Sequence, residues 1–275
     1  MDQETRTEIE TAASFLLREC EITKAPTVLT PVLQEKQLEL FPFDEPEHGN
    51  IPLEIREAVR AFIDVPDRHI YLSNKLHAKR KRFASFHEVG HYVLPWHKET
   101  FYHCSEMDLS PDARKMFEIE ANHFSASCLF QGKKFAEEAD DSSFGFKALI
   151  PVADKYEVSY ESAARRVVQT ADTPRALLVF NYKQGEDGKP KVSLKYHIAS
   201  PSFPIQIANE LELSHKHILH EICATSTSKP MTDKFLLAHG THNETKCSGS
   251  MFFNQYKMMV LLKPRKYKSG TFHLL

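Results

Sequence analysis

The segment Phe83-Ala-Ser-Phe-His-Glu-Val-Gly-His-Tyr-Val holds two histidines four residues apart, His87 and His91, with Glu88 directly after the first. On a helix this spacing stacks both imidazoles on one face, a turn apart, where they can grip one metal ion. Glu88 then sits beside them. A zinc ion in such a place brings the pKa of a water toward 7 and polarises a carbonyl, while a neighbouring carboxylate moves the proton to a leaving amine. The set suits metal-assisted hydrolysis of an amide. Phe83, Phe86, Val89, Tyr92 and Val93 supply the apolar face that would bury such a helix. Gly90 costs about 1 kcal/mol against Ala inside a helix, which calls for a reason such as the close approach of another backbone.

A catalytic zinc site takes three protein ligands and leaves a fourth place open. Three residues could complete this one. Glu118 begins Glu118-Ile-Glu-Ala-Asn-His-Phe-Ser-Ala on a second helical stretch. Asn122 lies one turn after it, where it can hydrogen-bond a ligand imidazole from outside. Glu120 is about 200° around the same helix from Glu118, so only one of the two can face the metal. His97 follows His87 by the spacing of the metzincin signature, but that signature places Gly three residues before its last His. Here that position is Leu94, followed by Pro95. Glu118 is the expected third ligand, with His97 and Glu120 as the alternatives. His103 and His123 lie near enough in sequence to be considered as oxyanion donors, and His123, next to Asn122, should face elsewhere. His215, His217 and His220 lack a Cys or carboxylate to complete a tetrahedral set and read as solvated.

The elements that must position these residues follow from period and punctuation. Apolar residues recur helically over Glu8–Arg18, and a second polar-apolar stretch covers Val32–Leu40. Phe41–Asn50 reads as an exposed loop, and Ala61–Leu72 as a short hairpin around a Pro-Asp turn. Two stronger helices span Lys79–Leu94 and Ala113–Leu129, the first stopped by Pro95. Phe146–Gln169 suggests two short helices with Ser159 as an N-cap. After Pro174 the pattern turns strand-like, over Ala176–Tyr182 and Val192–Ile198 around a Gly-rich hairpin loop. A helix over Asn209–Cys223 and a strand over Gln255–Leu262 complete the reading.

Composition sets the limits. The 275 residues are 41% hydrophobic and 26% charged, ordinary for a globular protein. Apolar runs such as Met258–Leu262 are far short of the roughly 20 residues of a membrane-spanning helix. The charged start, Met1-Asp-Gln-Glu-Thr-Arg, lacks the apolar core of a secretory signal. Cys20, Cys104, Cys128, Cys223 and Cys247 form no CxxC pair, which argues against a disulfide framework and for a reducing cytoplasm. From Asp172 onward there are 14 Lys/Arg against 8 Asp/Glu, whereas the chain before it has 21 against 29. This change of sign coincides with the change of pattern, and both mark a boundary between residues 1–171 and 172–275. The basic surplus of the second part would suit a small acidic ligand or an acidic partner.

At its motifs the sequence resembles the ImmA/IrrE family of zinc metallopeptidases, from the opening helix to about Gln169. The family's Arg-x-Arg-Phe lead into HExxH reads Arg80-Lys-Arg-Phe83 and His87–His91, and its Glu-x-x-Ala-Asn-x-Phe-Ala reads Glu118-Ile-Glu-Ala-Asn-His-Phe-Ser. A later unit with a Val-Ser step and a closing Arg resembles Asp154-Lys-Tyr-Glu-Val-Ser-Tyr-Glu-Ser-Ala-Ala-Arg-Arg. One departure is Cys128-Leu-Phe-Gln-Gly, where the family has Leu-Leu-Met-Pro.

The resemblance implies zinc on His87, His91 and Glu118 with Glu88 as general base. It implies a gluzincin-like, mainly helical α+β peptidase domain with a small sheet over 1–171, including the helical unit 146–170. A smaller α/β, sensor-like domain would follow over 172–275. The implied substrate is a protein, typically a DNA-binding transcriptional repressor, and the C-terminal domain would gate its cleavage. Two rivals have other features behind them. A non-catalytic module could sequester a repressor or toxin, but such a module does not need the base Glu88. Ala153–Val167 could read DNA as a helix-turn-helix, but Lys155, Arg165 and Arg166 are balanced by Asp154, Glu157 and Glu161, and recognition helices need a basic face.

Overall fold

A computed structural model describes residues 1–42, 60–103, 110–140, 144–184, 190–203, 207, 231–239, 244–264 and 273–274. Contacts divide the chain into two compact units: Met1–Phe135 with Lys155–Val158, and Ala136–Asp154 with Ser159–Leu275. The helices between residues 136 and 169 therefore count mainly with the C-terminal sheet in this division.

The first unit opens with α1 (Gln3–Glu19), capped by the Asp2 carboxylate, which accepts from the Thr5 backbone N–H at 2.8 Å. Its buried stripe of Ile9, Ala13, Leu16 and Leu17 is the helical period read from the sequence. The stretch after Pro26 splits into α2 (Thr30–Lys36) and strand β1 (Glu39–Pro42). The expected hairpin is formed by β2 (Ala61–Asp64) and β3 (His69–Leu72), paired antiparallel. β1 adds to β3 in parallel, giving the order β1-β3-β2. The predicted loop over 41–50 lies, from residue 43, outside the described residues.

Helix α3 (Ala78–Val93) packs on this sheet and on α5 (Pro111–Leu129), which in turn packs on α1. Pro95 does end α3, but it also opens a helix the periodicity missed, α4 (Pro95–His103). Proline is well suited to a first helical position because its absent N–H would be unpaired there anyway. α5 begins with the Ser110 side chain accepting from Ala113 N–H, and it ends with Gly132 at φ +64°, donating to the Ser127 carbonyl.

Arg82, in the basic lead to α3, ties this unit together. Its guanidinium donates to the carbonyls of Thr27 (2.6 Å) and Tyr156 (3.3 Å) and pairs with the Glu157 carboxylate. Tyr156 meets Phe135 edge-on at 5.1 Å, and Phe135 meets Phe130 at 4.6 Å. Arg82→Met should therefore lower stability by about 2–3 kcal/mol, the scale of bonds from a charged donor. Chemical denaturation checks this, and an unchanged midpoint would remove the clamp.

Among the described residues the second unit contains most of α6 (Lys134–Asp140) and of α7 (Phe146–Lys155), α8 (Tyr160–Gln169) and six strands. These are β4 (Ala176–Gln184), β5 (Pro190–Ala199), β6 (Met231–His239), β7 (Glu244–Phe253), β8 (Lys257–Pro264) and β9 (His273–Leu274). Their order is β5-β4-β8-β7-β6-β9, and every pairing is antiparallel. Among the described residues both units are α+β: in the C-terminal sheet, where an α/β arrangement was expected, every strand pair is antiparallel. On β4 every residue from Ala176 to Phe180 is buried. Leu178 and Phe180 belong to the core with Met258 and Val260, while α8 packs against β4 and β5. A strand covered on both faces reads as a continuous apolar run.

Ser159 caps α8, its hydroxyl accepting from Ser162 N–H at 3.1 Å. The basic residues of α8 are engaged within the unit. Arg165 lies over the Tyr196 ring at 5.0 Å, Arg166 is 9% exposed, and Glu161 holds Tyr196 and Lys257. The predicted helix over 209–223, with His215, His217 and His220, lies outside the described residues.

Candidate metal centre

α3 and α5 cross where both carry chemistry. Gly90 lies close against the other helix: a Cβ there would meet the Phe124 side chain at 3.1–3.3 Å. The neighbour that requires glycine is thus a side chain, not the backbone anticipated from the sequence. Gly90→Leu should overpack this contact and cost about 1–3 kcal/mol, read as a lower denaturant midpoint. Full retention of stability would mean the helices part freely.

The crossing brings His87, His91 and Glu118 together, with one ligand atom from each lying within 4.8 Å of the others. The two Nε2 atoms are 3.1 Å apart, and the Glu118 carboxylate oxygens lie 3.3 Å from His87 Nε2 and 3.5 Å from His91 Nε2. Asn122, one turn beyond Glu118, places Oδ1 3.2 Å from His87 Nδ1. Glu88 is buried on α3 at 6% exposure, whereas Glu118 is 54% exposed at the open side.

The electrostatics match this crowding. Burial alone would lower the pKa of His87. The hydrogen bond to Glu118, the charges of Glu88 and Glu118 and the Asn122 contact outweigh it, so His87 titrates above its ordinary value. Hydrogen bonds from His87 and His91 hold the Glu118 carboxyl well below the usual carboxylate range. Two imidazole nitrogens and a carboxylate within reach of one point match the three-ligand set of a catalytic zinc site.

The other two ligand candidates lie behind His91, away from that point. α4 swings His97 back so that its Nδ1 is 3.0 Å from His91 Nδ1. Its Nε2 is 2.8 Å from Glu120 Oε2, which also accepts from Trp96 Nε1 at 2.7 Å. Phe117 stacks on the His97 ring at 4.1 Å. Phe117 and Glu120 are three residues apart on α5 and so share a face, turned away from that of Glu118 and Asn122. Burial pushes His97 well below the ordinary histidine range.

Sequence reasoning missed Trp96, Phe117 and Arg82. The available signal was the chain's only tryptophan standing beside a histidine. His123 faces α1, with Nε2 3.0 Å from the Glu10 carboxylate. The side chain of His103 lies outside the described residues.

HExxH and a following carboxylate meet at this crossing, a donor set that could hold a metal ion. Residues 49–168 match the family model Peptidase_M78, the IrrE N-terminal-like domain. Over this segment the chain is similar to the ImmA/IrrE family. No curated protein matches the sequence. Among solved structures it is similar in fold to a Mycobacterium tuberculosis transcriptional regulator, at 12% identity and a TM-score of 0.58, covering 94% of this chain and 76% of that one. Among the described residues no helix is long and apolar enough to cross a membrane.

Proposed function

We propose that the protein is a zinc-dependent endopeptidase that cuts a protein substrate, a DNA-binding repressor or similar regulator. The observation that carries this is the convergence of His87, His91 and Glu118 within 4.8 Å, beside the buried Glu88. Zinc held by these three would supply Lewis acidity toward a peptide carbonyl and a water. Glu88 takes the proton of the attacking water and delivers it to the leaving amine. Asn122 orients the His87 ring through Nδ1, so that Nε2 faces the site. The open side at Glu118 leaves access for an extended polypeptide.

Elemental analysis of the purified protein tests the site first. About one zinc per chain is expected for a mononuclear site, and its loss is expected in His87→Ala. A wild-type protein without zinc, even after zinc is added back, would overturn the proposal.

The functional boundary is proposed near residue 171, with residues 172–275 as an accessory part that gates cleavage by binding a small acidic ligand or a partner. Its support is the basic surplus after Asp172. Deletion of residues 173–275 should change how activity depends on stimulus, and unchanged dependence would discard the gate.

A further inference from the structure

The metal site as proposed uses His91 but leaves unexplained why a buried histidine, a buried carboxylate and the only tryptophan stand in a row behind it. His97 is fully buried and Glu120 is 6% exposed. Buried polar groups of this kind are costly unless each proton has an acceptor.

Donor and acceptor counting fixes the direction of every bond in the row. A carboxylate can only accept, so His97 Nε2 carries the proton on its 2.8 Å contact with Glu120, as Trp96 Nε1 does at 2.7 Å. A neutral His97 then presents a lone pair at Nδ1. His91 must meet it, at 3.0 Å, with its own Nδ1–H. That leaves His91 Nε2 unprotonated and pointing toward His87 and Glu118. The opposite polarity would set the His97 Nε2 lone pair against the carboxylate.

We propose that His97 and Glu120 are positioning residues, a buried histidine–carboxylate chain that locks His91 in the tautomer and ring orientation needed to bind metal. Trp96 donates to the same carboxylate oxygen and helps to hold it, and Phe117 holds the His97 ring flat. Asn122 does the same for His87 with one residue, because the His87 Nδ1 faces α5 directly. His91 Nδ1 faces α4 instead, and the added histidine spans the distance to the carboxylate on α5. The inference rests on the proposed metal site.

The test is a chelator-competition titration of zinc into the full-length protein and into His97→Leu, His97→Asn and Glu120→Gln. Each metal-free protein is first checked for cooperative thermal unfolding. His97→Leu should bind zinc about 10–100-fold more weakly, the scale for partners outside the ligand shell. Glu120→Gln should weaken binding in the same direction by a smaller factor. His97→Asn should recover most of the affinity, since its Oδ1 can stand where Nδ1 accepts. A role in packing alone would not show that rescue.

Wild-type affinity in both His97→Leu and Glu120→Gln would overturn the inference and leave the metal site standing. Should His97→Leu fail to fold, wild-type affinity in Glu120→Gln overturns it alone. A wild-type protein that binds no zinc would overturn the metal site and the inference together.

Discussion

Glu88→Gln should leave the zinc content unchanged and reduce peptide cleavage by at least about 10²–10⁴-fold, the usual contribution of general acid–base catalysis. The substitution is close to isosteric, and Glu88 is only 6% exposed on the tightly packed α3, so the helix and its two imidazoles keep their places. What disappears is the proton acceptor beside the site. Its charge is also one of the influences that raise the His87 pKa, so the variant should hold zinc to slightly lower pH than the wild type. Zinc content by elemental analysis and cleavage of a protein substrate, measured on the same preparation, separate the two effects. A Glu88→Gln protein that still cuts would remove the general-base assignment.

Glu118→Ala should lose zinc almost completely, with an affinity at least about 100-fold below wild type, beyond the range expected of partners outside the ligand shell. The fold should persist, because Glu118 is 54% exposed. Two imidazoles would remain, one short of a catalytic zinc set. The pH dependence has a definite sign. Ligands must shed protons to bind metal, and in the metal-free site His87 titrates above its ordinary value. Zinc affinity should therefore climb as pH rises through and beyond about 6.5. In Glu118→Ala the residual affinity should level off at lower pH, since Glu118 is a main cause of the raised His87 value. Full zinc retention in Glu118→Ala would make the carboxylate a bystander, and His97, six residues beyond His91, would have to be reconsidered.

The helices that carry the site were legible because their signals are local. The 3.6-residue period of α1, α3 and α5, the stop at Pro95 and the cap at Ser159 each involve residues within a turn or two of one another. The β2–β3 hairpin and the strands β4, β5 and β8 were read the same way. Strands β6 and β7 were not. In β7 the inward positions Cys247, Met251 and Phe253 alternate, but Gly249 interrupts them and Ser248 and Ser250 stand between. Those small residues answer a tertiary demand. Gly145 at φ +119° leads into α7, a Cβ there would lie 2.7 Å from Ser250 Oγ, and that hydroxyl accepts from Phe146 N–H at 2.9 Å. A strand shaped to receive a helix start from a hundred residues away carries little β-propensity of its own.

What the amino-acid sequence determined by itself was the set of groups able to meet a metal. Four-residue spacing on one helix puts His87 and His91 on a common face, and helical phase separates Glu118 from Glu120, whatever the rest of the chain does. What only the tertiary structure decided was the function of the groups left over. His97 and Glu120, each a possible ligand by spacing, lie behind His91 because α4 turns back at Pro95 and α5 presents its Phe117–Glu120 face to it. The reason is geometric. Spacing along one helix fixes relative directions, but which of two faces meets a neighbour depends on where that neighbour packs, and here Gly90 against Phe124 sets the crossing.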